Sequence, residues 1–223
     1  MNKKIIVAID LSNLNKAIKL VKILKDEVYA FKIGHEFFYN FGINGYKKIY
    51  SICPKIFLDL KLHDIPNTVK KSIKGLTSLP INMLTIHTSG GKDMMMAAME
   101  AVSGTEIKIF GVTALTSLSN DDTNEIFQRT SSEQVNAMLD LAEEAGIDGV
   151  VCSPHELELV SKRETLLSIT PGIRLKDSND DQKRVMTPKE AIDLGADYLV
   201  IGRPITTSNE ISKSLEEIYL SIQ

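Results

Sequence analysis

The sequence predicts a single-domain α/β fold, a closed (β/α)8 TIM barrel over residues 1–223. Three observations predict it. Short apolar runs rich in Ile and Val alternate with amphipathic stretches, giving eight β-then-α units. The runs are nearly continuous in apolar character, as in a parallel sheet covered by helices. Charged and polar residues gather at the C-terminal ends of the runs, where a barrel forms its mouth. A doubly wound open sheet is the alternative. It needs a point where strand order reverses, and one sequence does not exclude that.

In chain order the strands are expected at 5–10 (IIVAID), 29–34 (YAFKIG), 55–61 (KIFLDLK) and 83–88 (MLTIHT), then at 108–115 (KIFGVTAL), 149–153 (GVVCS), 167–172 (LLSITPG) and 198–203 (YLVIGR). Helices are expected near 13–25, 36–50, 66–78, 92–102, 132–145, 155–163, 188–195 and 210–222. The third helix opens with Pro66, which the first turn tolerates. Gly90-Gly91 precedes the fourth, as an anion site or, by default, a tight turn. Met94, Met95, Met96 and Met99 at helical spacing read as core or interface packing. Gly146-Ile147-Asp148 and Gly195-Ala196-Asp197 look alike. Each ends a helix and enters a strand, either as an echo of an internal repeat or through shared loop chemistry.

Composition narrows the function. The chain has 43% hydrophobic and 25% charged residues, ordinary for a globular protein. No linker, low-complexity tract or like-charge run divides it. A net charge of −3 leaves no footprint for nucleic acid and no polybasic patch for a membrane. No segment is long enough to span a bilayer, and the N-terminal apolar run is too short for a signal peptide and ends at Asp10. Cys53 and Cys152 form no CxxC pair and read as buried free thiols, which suggests a reducing cytoplasm.

The most informative stretch is Asp59-Leu60-Lys61-Leu62-His63-Asp64-Ile65-Pro66-Asn67-Thr68. Strand alternation points Asp59 and Lys61 the same way. An acid and a base fixed together at a strand's end are costly to desolvate, and structure alone rarely requires them. Asp10, Lys32, Asp59, Lys61, His87, Thr116 and Arg203 all fall at or just after strand ends. Any single Asp there could merely cap the next helix. Lys32, Asp59, Lys61 and Asp64 together point to catalysis.

The seventh and eighth strands end in Thr170-Pro171-Gly172-Ile173-Arg174 and Gly202-Arg203-Pro204. Loops in those places commonly hold phosphate in barrels, and arginine supplies a charged fork. Between them residues 175–185 are polar and aperiodic, either disordered or a lid over that phosphate. No residue suggests an electron-sink cofactor, and no His, Cys and Asp cluster has metal-ligand spacing. Neither a cofactor nor a metal is therefore expected.

With these residues in place, the chain resembles the bacterial orotidine 5′-phosphate decarboxylase family over essentially its whole length. The likeness rests on Asp10, on Phe31-Lys32-Ile33-Gly34 and on the Asp59–Thr68 stretch. It continues through Val112-Thr113-Ala114-Leu115-Thr116-Ser117, Pro171-Gly172-Ile173-Arg174 and Ile201-Gly202-Arg203-Pro204-Ile205-Thr206. The Asp-x-Lys-x-x-Asp core is shared with 3-keto-gulonate-6-phosphate decarboxylase and hexulose-6-phosphate synthase, and Ile65-Pro66-Asn67-Thr68 is the more specific part. One departure is Thr88, where alanine is expected, which bears on what lines the pocket near His87.

The resemblance implies decarboxylation of orotidine 5′-phosphate to UMP by a cytoplasmic homodimer. By that resemblance Lys61 protonates C6, Asp59 holds Lys61 and crowds the substrate carboxylate, and Lys32 balances Asp59 and reaches the ribose. Asp64 and Thr68 reach the neighbouring subunit's site. Asp10 binds ribose hydroxyls, Thr116 contacts the pyrimidine, and Gln182, Gly202 and Arg203 bind phosphate with Arg174 beside them. A metal-dependent sugar-phosphate lyase and a non-catalytic ribotide-binding barrel are the rival readings.

Overall fold

In the computed structural model, residues 4–175 and 185–222 are described. Eight parallel strands close into a barrel in strict chain order: β1 (Ile5–Ala8), β2 (Ala30–Ile33), β3 (Ile56–Leu62), β4 (Met83–His87), β5 (Lys108–Val112), β6 (Gly149–Val151), β7 (Leu167–Thr170) and β8 (Tyr198–Ile201). Closure comes from pairing of β1 with β8, Ile5 opposite Leu199 and Val7 opposite Ile201. The open-sheet alternative is thereby set aside. The observed strands are mostly shorter than expected at their C-terminal ends. Asp10, Thr116 and Arg203 have already left the ladder; Asp10 and Thr116 stand in the loops of the mouth, and Arg203 opens a short helix there.

Alternation along the strands builds two apolar cores. Outward side chains pack on the helices. Ile6 and Ala8, Ala30, Phe57, Met83, Phe110, Ile169 and Val200 point inward and fill the barrel. Stacked Tyr29 and Tyr198, with ring centroids 4.4 Å apart, lie against that inner core at its N-terminal end. Continuing in steps of two from these plugs, the same inward face reaches Asp10 from Ala8, Lys32 from Ala30, Asp59 from Phe57 and Thr85 from Met83. The apolar floor thus sets the register of the polar layer above it.

The covering helices are α1 (Leu14–Leu24), α2 (His35–Tyr50), α3 (Pro66–Leu76), α4 (Lys92–Val102), α5 (Asn120–Phe127), α6 (Ser131–Ala145), α7 (Leu157–Val160), α8 (Pro188–Asp193), α9 (Arg203–Thr206) and α10 (Ile211–Ser221), and most of them follow the apolar periodicity. α2 is two helices joined at a kink at Gly42. The helix expected at 155–163 shrinks to a 3-10 turn at Pro154–Glu156 plus one turn of α7. Helix α5 is an element that periodicity does not announce. It buries only Thr123, and it is started by a capping box in which Ser119 and Asp122 serve each other's backbone N–H. Equivalent boxes, Thr130 with Glu133 and Thr187 with Glu190, start α6 and α8.

The two similar loops share one piece of chemistry. Asp148 accepts from the Ile109 N–H at 2.8 Å, and Asp197 accepts from the Ser168 N–H at 2.8 Å. Asn82 does the same for Ile56. Each tethers the entry of its own strand to the strand before it. Met94 and Met95 are fully buried, and Cys53 and Cys152 are buried free thiols, as expected. Among the described residues no helix is long and apolar enough to cross a membrane.

Candidate active site

The C-terminal mouth of the barrel holds a cavity of about 560 Å³. Eight of the residues expected there line it: Asp10, Lys32, Asp59, Lys61, Thr116, Arg174, Gly202 and Arg203. Glu36, near the start of α2, also lines it and was not foreseen. Asp64 and Thr68 are exposed and lie outside this cavity. Asp64 instead accepts from the Ile65 N–H at 2.7 Å. Gln182 and most of the 175–185 stretch lie outside the described residues. At the base of that stretch, Arg174 N–H donates to the Met186 carbonyl at 3.0 Å and Met186 N–H to the Gly172 carbonyl at 3.2 Å.

Asp59 is the centre of the charged layer, only 6% exposed. The Lys61 ammonium donates to both of its carboxylate oxygens at 2.8 Å. The Lys32 ammonium is 3.5 Å from the same carboxylate and 3.1 Å from that of Asp10. The row is therefore Asp10, Lys32, Asp59, Lys61, alternating in sign. Burial pushes the Asp59 carboxyl up. The ammoniums of Lys32 and Lys61, with hydrogen bonds from Lys61 and Thr85, outweigh it and hold the acid below its ordinary range. For Lys32, burial pushes the pKa down, and Asp59 and Asp10 outweigh it upward. Gly34 makes room for this: a Cβ there would sit 2.7 Å from the Lys32 ammonium.

Lys61 reaches Asp59 by a route that simple alternation does not give. Leu58 pairs with Leu84 but Leu62 pairs with Ile86, so β3 carries extra residues against β4. Within this bulge Lys61 has φ +48°, a left-handed conformation that a side chain disfavours by about 1–2 kcal/mol. Two contacts offset that strain. One is the ion pair with Asp59. The other is the Lys61 N–H, which donates to the Thr85 hydroxyl at 2.8 Å. The same hydroxyl donates to Asp59 at 2.9 Å, and Thr85 is fully buried. A charge-assisted hydrogen bond contributes about 1.5–3 kcal/mol, enough to hold the bulge. Thr85 was not singled out from the sequence. A hydroxyl two residues before His87, in an otherwise apolar strand core, was the available signal.

His87 ends β4 but does not line the cavity. Its ring lies 5.2 Å from that of His63. Burial, followed by the neighbouring His63 and Lys61, pushes its pKa down to about 4. The departure at Thr88 does not touch the cavity either. Its hydroxyl donates to the Val112 carbonyl at 2.7 Å, and its methyl occupies the space that Gly111 leaves open. A Cβ at Gly111 would sit 2.5 Å from that methyl carbon. Among the described residues no three His, Cys, Asp or Glu side chains are grouped to hold a metal ion.

The chain is similar to known proteins in sequence and in fold. The sequence profile of the "Orotidine 5′-phosphate decarboxylase / HUMPS family" matches residues 3–218. An orotidine 5′-phosphate decarboxylase of Ehrlichia chaffeensis is 48% identical over 222 residues, 98% of this chain and 96% of the relative. One from Wolbachia pipientis of Culex pipiens is 45% identical over 221 residues, 98% of each chain. The crystal structure of orotidine 5′-phosphate decarboxylase from Lactobacillus acidophilus superposes with a TM-score of 0.83 at 37% identity, covering 99% of both chains.

The environment of His87 gives a pH test. Its folded pKa lies below the ordinary 6.5, so the unfolded chain takes up this proton first as pH falls. The contribution of His87 to stability is complete above about 6.5 and declines as pH falls toward about 4. Its imidazole resonances, followed by NMR, are expected to stay in the neutral form at pH 6 and titrate near pH 4. A midpoint near 6.5 would show that burial and its cationic neighbours do not act on this ring.

Proposed function

The chain belongs to the orotidine 5′-phosphate decarboxylase / HUMPS family, and from that premise we propose that it is a carboxy-lyase converting orotidine 5′-phosphate to UMP in pyrimidine biosynthesis. The observation that carries this reading is the alternating Asp10–Lys32–Asp59–Lys61 row, bound together inside the mouth cavity. Binding a ribotide would not require a buried carboxylate beside the substrate's own. Loss of CO₂ from C6 leaves an electron pair on an sp² carbon with no adjacent π-system to spread it. Charge already fixed in place is the direct way to stabilise that pair.

Lys61 supplies that charge and then the proton. Its side chain is 28% exposed and lines the cavity, where its ammonium is available as the donor to C6. Asp59 holds Lys61 and opposes the substrate carboxylate, so departure of CO₂ relieves repulsion between two acids. Lys32 keeps Asp59 ionised and, with Asp10, faces the ribose. Thr116 lies on the pyrimidine side. Arg174, Gly202 and Arg203 line the β7–β8 side of the same cavity and take the 5′-phosphate. Phosphate binding remote from C6 contributes energy that can be used to hold the charged groups against the substrate.

The active unit is a homodimer. Asp64 and Thr68 sit outside the cavity of their own chain, next to Ile65, a large apolar side chain 67% exposed. We assign this segment to the partner's site, where Asp64 extends the charged row and Thr68 adds a hydroxyl. The buried free thiols Cys53 and Cys152 fit a reducing cytoplasm.

Purified protein is expected to convert orotidine 5′-phosphate to UMP, read as loss of the substrate's ultraviolet absorbance, at a rate unaffected by EDTA. No turnover, or turnover abolished by chelation and restored by a divalent metal, would contradict the assignment. For Lys61→Ala, loss of both the charge and the acid predicts a fall of roughly 10⁴-fold or more in kcat/KM. Asp64→Asn homodimers are expected to be nearly inactive as well. Mixing the two variants with subunit exchange should restore about a quarter of wild-type activity, since half the dimers carry one intact site. No recovery despite demonstrated exchange would put Asp64 in its own chain's site.

A further inference from the structure

We infer that Thr85 is a positioning residue for the reaction: its one hydroxyl ties the Asp59 carboxylate to the backbone of Lys61 and fixes the relative placement of acid and ammonium. This rests on the decarboxylase reading above and adds to it a group that does not touch substrate. Thr85 is fully buried and does not line the cavity.

The hydrogen-bond accounting leaves little freedom. A threonine hydroxyl has a single hydrogen and accepts through its lone pairs. Here the hydrogen goes to Asp59 Oδ1 at 2.9 Å, and the oxygen accepts the Lys61 N–H at 2.8 Å. Lys61 sits at φ +48° in a bulge between the paired positions Leu58–Leu84 and Leu62–Ile86, and its N–H goes to the Thr85 hydroxyl. Without the hydroxyl, a buried donor and one carboxylate oxygen each lose a partner at the same point. The left-handed turn then loses its tether, and the Lys61 ammonium is free to follow its backbone. The strand offers the hydroxyl from the correct side because Thr85 is two residues beyond inward-facing Met83.

Position 85 therefore needs a hydroxyl for the reaction, and its β-branched shape fills the buried space around it. Valine matches threonine in shape without the hydroxyl, and serine keeps the hydroxyl with less bulk. Thr85→Val is expected to lower kcat on orotidine 5′-phosphate by roughly ten- to a hundredfold, the worth of a hydrogen bond to a charged group. KM should change little, because substrate contacts remain. Thr85→Ser is expected to recover most of kcat even if its thermal stability is lower. Thr85→Ala serves as a second variant lacking the hydroxyl should valine fail to fold.

A readout independent of turnover accompanies these rates. Hydrogen exchange of the Lys61 amide, measured by NMR, should be slow in wild type and faster by about tenfold or more in the valine or alanine variant. Wild-type kcat in a hydroxyl-less variant would overturn the inference, as would serine as impaired as valine, or an unprotected Lys61 amide in wild type. Wild-type protein that does not turn over orotidine 5′-phosphate would instead contradict the functional assignment. Amide exchange would still decide whether Thr85 holds Lys61.

Discussion

The carboxylate of Asp59, buried between the ammoniums of Lys32 and Lys61, is the interaction on which the site depends. A lone carboxylate in this position would protonate rather than remain charged. Two cations within 3.5 Å reverse that preference, and Asp10 brings the row back to electrical balance. The row does little for stability in itself, since desolvation offsets most of the attraction in a buried ion pair. Removing one member is a different matter. For Lys32 or Asp59, the buried members, it leaves an uncompensated charge at a cost of about 3–5 kcal/mol, whereas Asp10, its side chain 46% exposed, contributes far less. Stability therefore does not account for the row, in keeping with the role toward a bound anion proposed above.

The barrel explains how such a row is kept in register. Ala8, Ala30, Phe57 and Met83 pack inside the barrel, and the residues two steps further along the same strands are Asp10, Lys32, Asp59 and Thr85. A slip of one residue in any strand would turn its charged member outward into the helix layer, so the inner core and the site specify each other. The exception is Lys61, which needs a bulge and a left-handed backbone. Local strain at a position facing the cavity, held by buried hydrogen bonds, is the expected pattern for a functional residue.

Much of this was legible in the sequence for physical reasons. Buried parallel strands must be apolar, so all eight appeared as Ile- and Val-rich runs. Polar groups at their ends had few structural uses. Eight of the expected residues accordingly line one cavity. What was not legible was either long-range or hidden in the backbone. Barrel closure depends on pairing of β1 with β8, residues nearly 200 apart, which no local pattern encodes. The bulge at Lys61 carries no glycine to announce its positive φ. Thr85 looks like an ordinary β-branched strand residue until the bulge gives its hydroxyl two partners. Helix α5 escaped because its start is fixed by Ser119 and Asp122 while its sides bury almost nothing. Asp64 and Thr68 stand apart from the cavity of their own chain, so their expected role concerns a second copy.

Two fixed ammoniums keep the buried Asp59 ionised before any substrate arrives. Carbon-13 NMR of the Asp59 carboxyl, titrated in ligand-free protein and assigned with Asp59→Asn, tests it most directly. A midpoint below the ordinary aspartate value of 3.8 is expected, with the carboxyl fully ionised at neutral pH. A midpoint above 3.8 would show that desolvation outweighs Lys32 and Lys61, and the charged row could not act as described.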